Sequence, residues 1–236
     1  MWQSLRSEVH AKGVEVVTVG LDTGGADAVR PWIEAAAPEH PSLIDQAHVT
    51  DELLGFSNVP MAVWVDEDQM LVRPAEQANP RRSPLREMKV PDGLPDELRE
   101  VMLEVRKIPD YSETYMAALR DWIDNGASSR YALSPDEVVA RSRPRPREWA
   151  EAAACFELGQ HLWRAGDRDG AVPWWRAAHR LDPNNWTYKR QAWSLAVTAP
   201  GQPTNLLQGP TDLYEGDWVK DIKALGAENY YPPLQI

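Results

Sequence analysis

One cysteine is the side chain best able to carry covalent chemistry in this 236-residue sequence. Because Cys155 is alone, it can form no disulfide within the chain and belongs to no Cys-x-x-Cys motif or cysteine-based zinc site. A single thiol can still act as a nucleophile or a redox group when a neighbouring base or positive charge lowers its pKa. The only thiol chemistry that this chain could perform is therefore a reaction at the single thiol of Cys155.

The remaining candidates are ligands for a cation. Asp66, Glu67 and Asp68 form an acidic turn, but neither a glycine nor a later bidentate glutamate stands at calcium-loop spacing. The glycines form no Walker or dinucleotide-binding pattern, and no pair of histidines has a ligand spacing such as His-Glu-x-x-His. The five histidines are His10, His40, His48, His161 and His179. We therefore expect no metal site and no cofactor, and a solvated turn at residues 66–68.

Charge and hydropathy indicate which kinds of binding partner are not expected for this chain. The chain has 25 basic and 36 acidic residues, a net charge of −11, and residues 1–75 hold 4 of the basic and 12 of the acidic ones. Nucleic-acid binding needs a basic surface, so it is not expected. No apolar run approaches the ~18 residues of a membrane span, and the N-terminal 13 residues lack the apolar core of a signal peptide. We expect a cytoplasmic protein with no membrane contact.

Helix and strand patterns alternate over the first 75 residues. Trp2, Leu5 and Val9 share one helix face, and Gly13 ends that helix. The β-branched run at 14–20 is typical of a strand buried on both faces, as in a parallel sheet. Further strands are predicted at 42–44, 61–65 and 70–73, with helices at 26–37 and 49–55. This order predicts an α/β fold.

Three stretches resemble the thioredoxin superfamily, most closely its ResA/TlpA-like branch: KGVEVVTVGLD at 12–22, SLID at 42–45 and DELLGFSNVPMAVWVDEDQMLVR at 51–73. The resemblance implies a thioredoxin-like domain over residues 1–140 and thiol–disulfide chemistry on a protein or peroxide substrate. It places Val59 and Pro60 at the family's cis-proline loop, where the backbone docks the substrate. A trans proline that opens the strand at residue 61 is the alternative, and Pro60 taken alone favours it.

The sequence departs from that family at its start. Met1 falls within what would be the family's first helix, so the first strand and the W-C-x-x-C redox motif are missing. We therefore expect an N-terminally truncated domain with no catalytic residue. Three explanations stay open: a selenocysteine codon read as a stop, a misassigned start, and a degenerate relative. Translating the codons upstream of Met1, with any stop read as selenocysteine, separates the first two from the third.

Prolines mark the middle of the chain. Residues 74–95 contain five of them and are predicted to form a surface loop. Helices are predicted at 95–107 and 110–125, and these helices could complete the α/β domain. Alternating arginine and proline at 141–147 predict an extended linker to a second domain.

Residues 152–185 resemble one tetratricopeptide (TPR) repeat, a helical hairpin of about 34 residues. Small, aromatic and proline residues match the repeat's packing positions at Gly159, Ala171, Trp175, Ala178 and Pro183. The resemblance implies an all-α TPR-like module over residues 148–236. It puts Cys155 at a packed position, so we expect a buried and inert thiol.

The concave face of such a repeat suggests a partner surface. Phe156, Gln160 and Trp163 would lie there as candidate peptide contacts, with internal packing as the alternative for Trp163. The repeats that clamp a C-terminal carboxylate carry lysine and asparagine at the first two of these positions, so this class of peptide is not implied.

Two functions stay open at this point. The first is a ResA/TlpA-type thiol–disulfide oxidoreductase relative whose redox motif is missing from this chain. The second is a non-enzymatic module in which the Val59-Pro60 loop and the helical repeat hold a protein or peptide partner. The sequence leaves the oligomeric state open.

Overall fold

The computed structural model describes residues 1–142, 145–196 and 214–236. The fold is mixed α/β and predominantly helical. The chain forms two compact units, each built from separate stretches of sequence. Unit 1 comprises residues 1–81, 111–145 and 234–236, and unit 2 comprises residues 82–110 and 146–233. Each unit is described by itself below.

Unit 1 begins with helix α1 (Trp2–Val9), which buries Leu5 and Val9. Gly13 then takes a positive φ of 85°, a conformation that glycine adopts without a steric penalty. Strand β1 (Thr18–Leu21), helix α2 (Ala26–Ala36) and strand β2 (Ser42–Asp45) follow. β1 and β2 pair in parallel, with Thr18 opposite Ser42 and Val19 opposite Leu43.

The second half of unit 1 starts with helix α3 (Val49–Leu54), which leads to strand β3 (Met61–Val65). A turn at 66–69 returns the chain as strand β4 (Leu71–Gln77), which is antiparallel to β3. The pairing register shifts between Ala62 and Trp64, because an advance of two residues along β3 is matched by three residues along β4, from Glu76 to Arg73. Pro74 lies in this bulge, as expected of a residue that cannot donate to a ladder.

The core of unit 1 lies between the β3–β4 sheet and helix α5 (Ser112–Asn125). Trp64 and Val72 pack there with Leu5 and Val9 of α1 and with one face of α5. The buried residues of that face are Tyr115, Met116, Ala118 and Leu119. Helix α6 (Pro135–Ser142) packs beside β4, and residues 234–236 return to this unit.

Unit 2 contains helices and no strand among the residues that the structure describes. It contains α4 (Asp96–Lys107), α7 (Arg147–Arg164), α8 (Arg168–Leu181), α9 (Trp186–Leu195) and α10 (Trp218–Leu225). Asp167, Asn185 and Asp217 cap α8, α9 and α10 by accepting backbone N–H bonds. The hairpin of α7 and α8 holds the centre of an aromatic-rich core.

Several elements differ from the sequence predictions. The run at 14–20 becomes a strand only from Thr18, and this strand is half-buried rather than buried on both faces. The loop predicted from Pro74 begins after Gln77, because the bulge accommodates Pro74 inside β4. Residues 82–110 group with unit 2 rather than with the first domain, since Val101, Val105 and Ile108 pack against its core. Helix α6 was not predicted.

Candidate functional site

The candidate site is a cleft in unit 1 between its two small sheets, with a volume of about 1250 Å³. All five residues of β3 and three of the four residues of β1 line it. β2 contributes no lining residue, and β4 contributes Val72 alone. In the described part of the chain, β1 pairs only with β2, and β3 pairs only with β4. The unpaired edges of β1 and β3 therefore face the same cleft.

The floor of the cleft is apolar and closely packed. Trp64 is 4% exposed, stacks on Trp122 at a centroid distance of 5.1 Å and donates an Nε1–H bond of 3.0 Å to the Tyr115 hydroxyl. Burial raises the pKa of Tyr115 to about 12, so the hydroxyl stays protonated. Leu5 and Leu119 complete this floor from α1 and α5. These groups can hold an apolar side chain but offer no nucleophile.

Charged groups at the cleft are mostly acidic. Five carboxylates and one ammonium line it, a net charge of −4: Glu15, Asp66, Glu67, Asp68, Glu137 and Lys12. Hydrogen bonding from Arg6 lowers the pKa of Glu15, and hydrogen bonding from Ser134 lowers that of Glu137. Both carboxylates are therefore ionised at neutral pH. Lys12 is neutralised by Asp124 at 2.5 Å.

Val59 and Pro60 lie at the edge of the same cleft. The peptide bond between them is cis, as the sequence predicts, and Val59 is 47% exposed. The N–H of Val59 donates to Asn58 Oδ1 at 2.9 Å, and the carbonyl of Pro60 accepts from Ala78. A substrate that docked on the Val59 amide would have to displace the bond to Asn58.

The only cysteine lies outside the cleft. Cys155 belongs to α7 of unit 2 and is 8% exposed, so the prediction of a buried thiol is confirmed. Burial and the nearby Glu151 carboxylate raise its pKa, which disfavours the reactive thiolate. Among the described residues, no group of three or more His, Cys, Asp or Glu side chains is placed to hold a metal ion.

In unit 2 four of the five residues at the predicted repeat positions meet inside the α7–α8 hairpin. Ala171, Trp175 and Ala178 are fully buried. A Cβ atom at Gly159 would lie 2.5 Å from the Trp175 ring, so only glycine permits this approach. Pro183 is exposed and follows the end of α8.

Two of the three candidate peptide contacts in unit 2 are corrected by the structure. Phe156 is 1% exposed and stacks on Tyr188 at 4.2 Å, and Gln160 is fully buried. Tyr188 of α9 covers Phe156, and both Phe156 and Gln160 are buried, so neither side chain is accessible to a peptide. Trp163 is half-buried between Trp175 and the guanidinium of Arg168.

The apolar floor of the cleft is not recognisable as a site from the sequence. The helical spacing of Tyr115, Leu119 and Trp122 placed them on an inward face, which signalled packing rather than a ligand surface. A buried ion pair between Arg73 and Glu76, at 2.5 Å, is not recognisable either. An arginine at the end of a predicted strand and a glutamate in the loop predicted after it carry no signal of burial.

No protein-family model, curated protein or solved structure matches this chain. No helix among the described residues is long and apolar enough to cross a membrane.

Proposed function

We propose that this chain is a thioredoxin-like polypeptide-binding module whose binding site is the cleft between β1 and β3. The observation that carries the proposal is that two unpaired strand edges line one apolar cleft. Strand edges present rows of backbone N–H and C=O groups that another chain can satisfy. The order of elements in unit 1 and the place of Pro60 at the cleft support the thioredoxin-like assignment.

The dimensions of the cleft favour a polypeptide over a small molecule. Its volume of about 1250 Å³ exceeds the ~300–1000 Å³ typical of small-molecule pockets. No cluster of titratable groups converges at its floor, where the Trp64 indole N–H donates to the Tyr115 hydroxyl. A partner bound there gains affinity from apolar burial and backbone pairing rather than from a polar anchor.

Binding of unfolded polypeptide tests the proposal. Two labelled probes, reduced and alkylated lysozyme and lactalbumin, provide a basic and an acidic unfolded chain. We expect at least one to bind in fluorescence anisotropy, and Val19→Asp to weaken that binding at least tenfold by placing a carboxylate on the cleft wall. Val19 lines the cleft.

The matched control is Leu43→Asp. Leu43 pairs with Val19 across the β1–β2 ladder but does not line the cleft, and it is 55% exposed. The same charge is thus introduced on the same sheet outside the site. Circular dichroism establishes that both variants fold. Absence of binding to either probe, or equal losses in the two variants, would refute a polypeptide site in this cleft.

A second candidate is the ResA/TlpA-type thiol–disulfide oxidoreductase relative, which the pattern around Val59 and Pro60 favours. Because Cys155 is buried with a raised pKa, we expect this chain to reduce insulin with dithiothreitol no faster than its Cys155→Ser variant. Turnover that depends on Cys155 would overturn the assignment of an inert thiol.

A gain-of-function measurement separates the two candidates. Fusing a strand that carries a W-C-x-x-C motif ahead of Met1 should produce insulin reduction if unit 1 is an oxidoreductase scaffold. Replacing both fused cysteines by serine is the control. An inactive, folded fusion leaves binding as the function.

Two further proposals concern the peptide contact of unit 2 and the cellular compartment of this chain. We propose unit 2 as a TPR-like module with Trp163 as its peptide contact, since this indole keeps an accessible side. A lone unpaired thiol fits a reducing compartment, which supports a cytoplasmic location.

A further inference from the structure

We infer that the occupant of the cleft is an extended apolar segment of a partner protein, four or five residues long and flanked by basic residues, which adds as a strand between β1 and β3. This inference rests on the proposed polypeptide-binding function and specifies its substrate class. Bound in this way, the segment would join the two separate two-stranded sheets of unit 1 into one.

The length of the segment follows from the strands that it would meet. β1 has four residues and β3 has five, so a matching strand spans about 13–17 Å at ~3.3 Å per residue. A strand placed between them can pair on both sides. Backbone hydrogen bonds then form along the edges of both β1 and β3 and on both sides of the added strand. A strand added at an outer edge of either sheet would form hydrogen bonds on one side only.

The apolar character of the segment follows from the walls. One side of the cleft is built by Trp2, Leu5 and Val9 of α1 together with Leu119 and Trp122 of α5. Successive side chains of a strand point to opposite faces, so alternate residues of the occupant would contact these two helices. Leu54 and Phe56, which also line the cleft, provide apolar contacts from α3 and the loop that follows it.

The basic flanks follow from charge complementarity. The carboxylates Asp66, Glu67 and Asp68 cluster at the turn after β3, and Glu15 precedes β1. The single lining ammonium, Lys12, is already paired with Asp124. A second copy of this chain is the disfavoured occupant, because two molecules of charge −11 repel each other. A partner segment with lysine or arginine at its ends meets the cleft with opposite charge.

Three labelled peptides measure each part of the inference by fluorescence anisotropy with the full chain. KVTVVVK carries the inferred pattern, EVTVVVE reverses the flanking charge, and KVTPVVK removes one backbone donor and disfavours the strand. We expect KVTVVVK to bind at least tenfold more tightly than either of the others at low salt, and its affinity to fall as salt is added. Val19→Asp should weaken its binding and Leu43→Asp should not.

Hydrogen exchange locates the bound peptide. We expect KVTVVVK to slow exchange of backbone amides in 14–21 and 61–65, with no comparable change at the β2 edge. Equal affinity for KVTPVVK, or protection confined to other residues, would overturn strand addition, and equal affinity for EVTVVVE would overturn the charge assignment. A concentration-dependent dimer that excludes the peptide would identify a second copy as occupant and overturn the inference.

The outcomes also separate this inference from the function on which it rests. Suppose that an unfolded probe binds, that Val19→Asp abolishes this binding, and that the three peptides bind with equal affinity. The inferred chemistry of the segment is then wrong, and the polypeptide-binding function stands. If neither probes nor peptides bind, the function fails as well.

Discussion

Replacing Glu76 by alanine is expected to destabilise unit 1 by about 3–5 kcal/mol, the usual effect of removing one partner of a buried ion pair. Arg73 is 1% exposed and Glu76 is 7% exposed. Arg73 Nε and Nη2 donate to the two Glu76 carboxylate oxygens at 2.8 and 2.5 Å. The remaining contacts of the guanidinium, with the Tyr131 and Gln235 carbonyls and the Trp64 ring, carry no full negative charge. Glu76→Ala thus leaves a buried cation uncompensated.

Glu8→Ala is the matched control for this prediction. Glu8 forms a similar two-bond pair with Arg120, at 2.6 and 3.1 Å, but both side chains are about half exposed. Solvent screening limits such a pair to about 0–1 kcal/mol. Hydrogen exchange of unit 1 amides in increasing urea reports the free energy of unfolding for this unit alone. Losses of similar size in the two variants would contradict the assigned importance of burial.

Trp175→Ala should have an effect of comparable size in unit 2, about 3–5 kcal/mol, as for other fully buried tryptophans. Trp175 is fully buried and packs against Trp163 at 5.1 Å and Tyr214 at 6.1 Å. Its indole N–H has no hydrogen-bond partner among the described residues. The alanine variant therefore loses packing and gains a cavity, which Gly159 opposite is too small to fill.

The adjacent tryptophan provides the control. Trp174 occupies the preceding position of α8 and is 40% exposed, so Trp174→Ala should destabilise the hairpin much less than Trp175→Ala. Thermal melts and hydrogen exchange of the α7–α8 peptides measure both variants. A Trp174→Ala loss equal to that of Trp175→Ala would show that the hairpin does not depend on the Gly159–Trp175 contact.

Local signals predicted most elements of the fold. The strand at 61–65, the end of the first helix near Gly13 and the helix at 26–37 were predicted nearly as observed, since each has an apolar pattern and a neighbouring turn or helix-ending residue. The cis bond before Pro60 was also predicted, from its flanking pattern. These features depend on residues close together in the sequence.

Features that depend on distant residues were not predictable in the same way. Whether Phe156 is exposed depends on α9, which stacks Tyr188 on it from 32 positions further along the chain. Pro74 alone predicts the start of a loop, and only the unequal register of β3 and β4 gives it a place in a strand. The cleft lies where β1 and β3 have no partner strand between them in the described part of the chain, which no local pattern predicts. The resemblance to thioredoxins, with its first strand missing, implies a gap between these two strands.

The return of residues 234–236 to unit 1 imposes an order on biosynthesis. The Gln235 carbonyl accepts hydrogen bonds from Arg73 at 2.8 Å and from Arg141 at 2.6 Å. Residues 82–110 and 146–233, which make up unit 2, are translated between the parts of unit 1. While the ribosome still holds residue 235, the guanidinium of Arg73 lacks one of its acceptors. Unit 1 therefore cannot complete its core vectorially from the N-terminus, and its nascent strands depend on residues that are translated after unit 2.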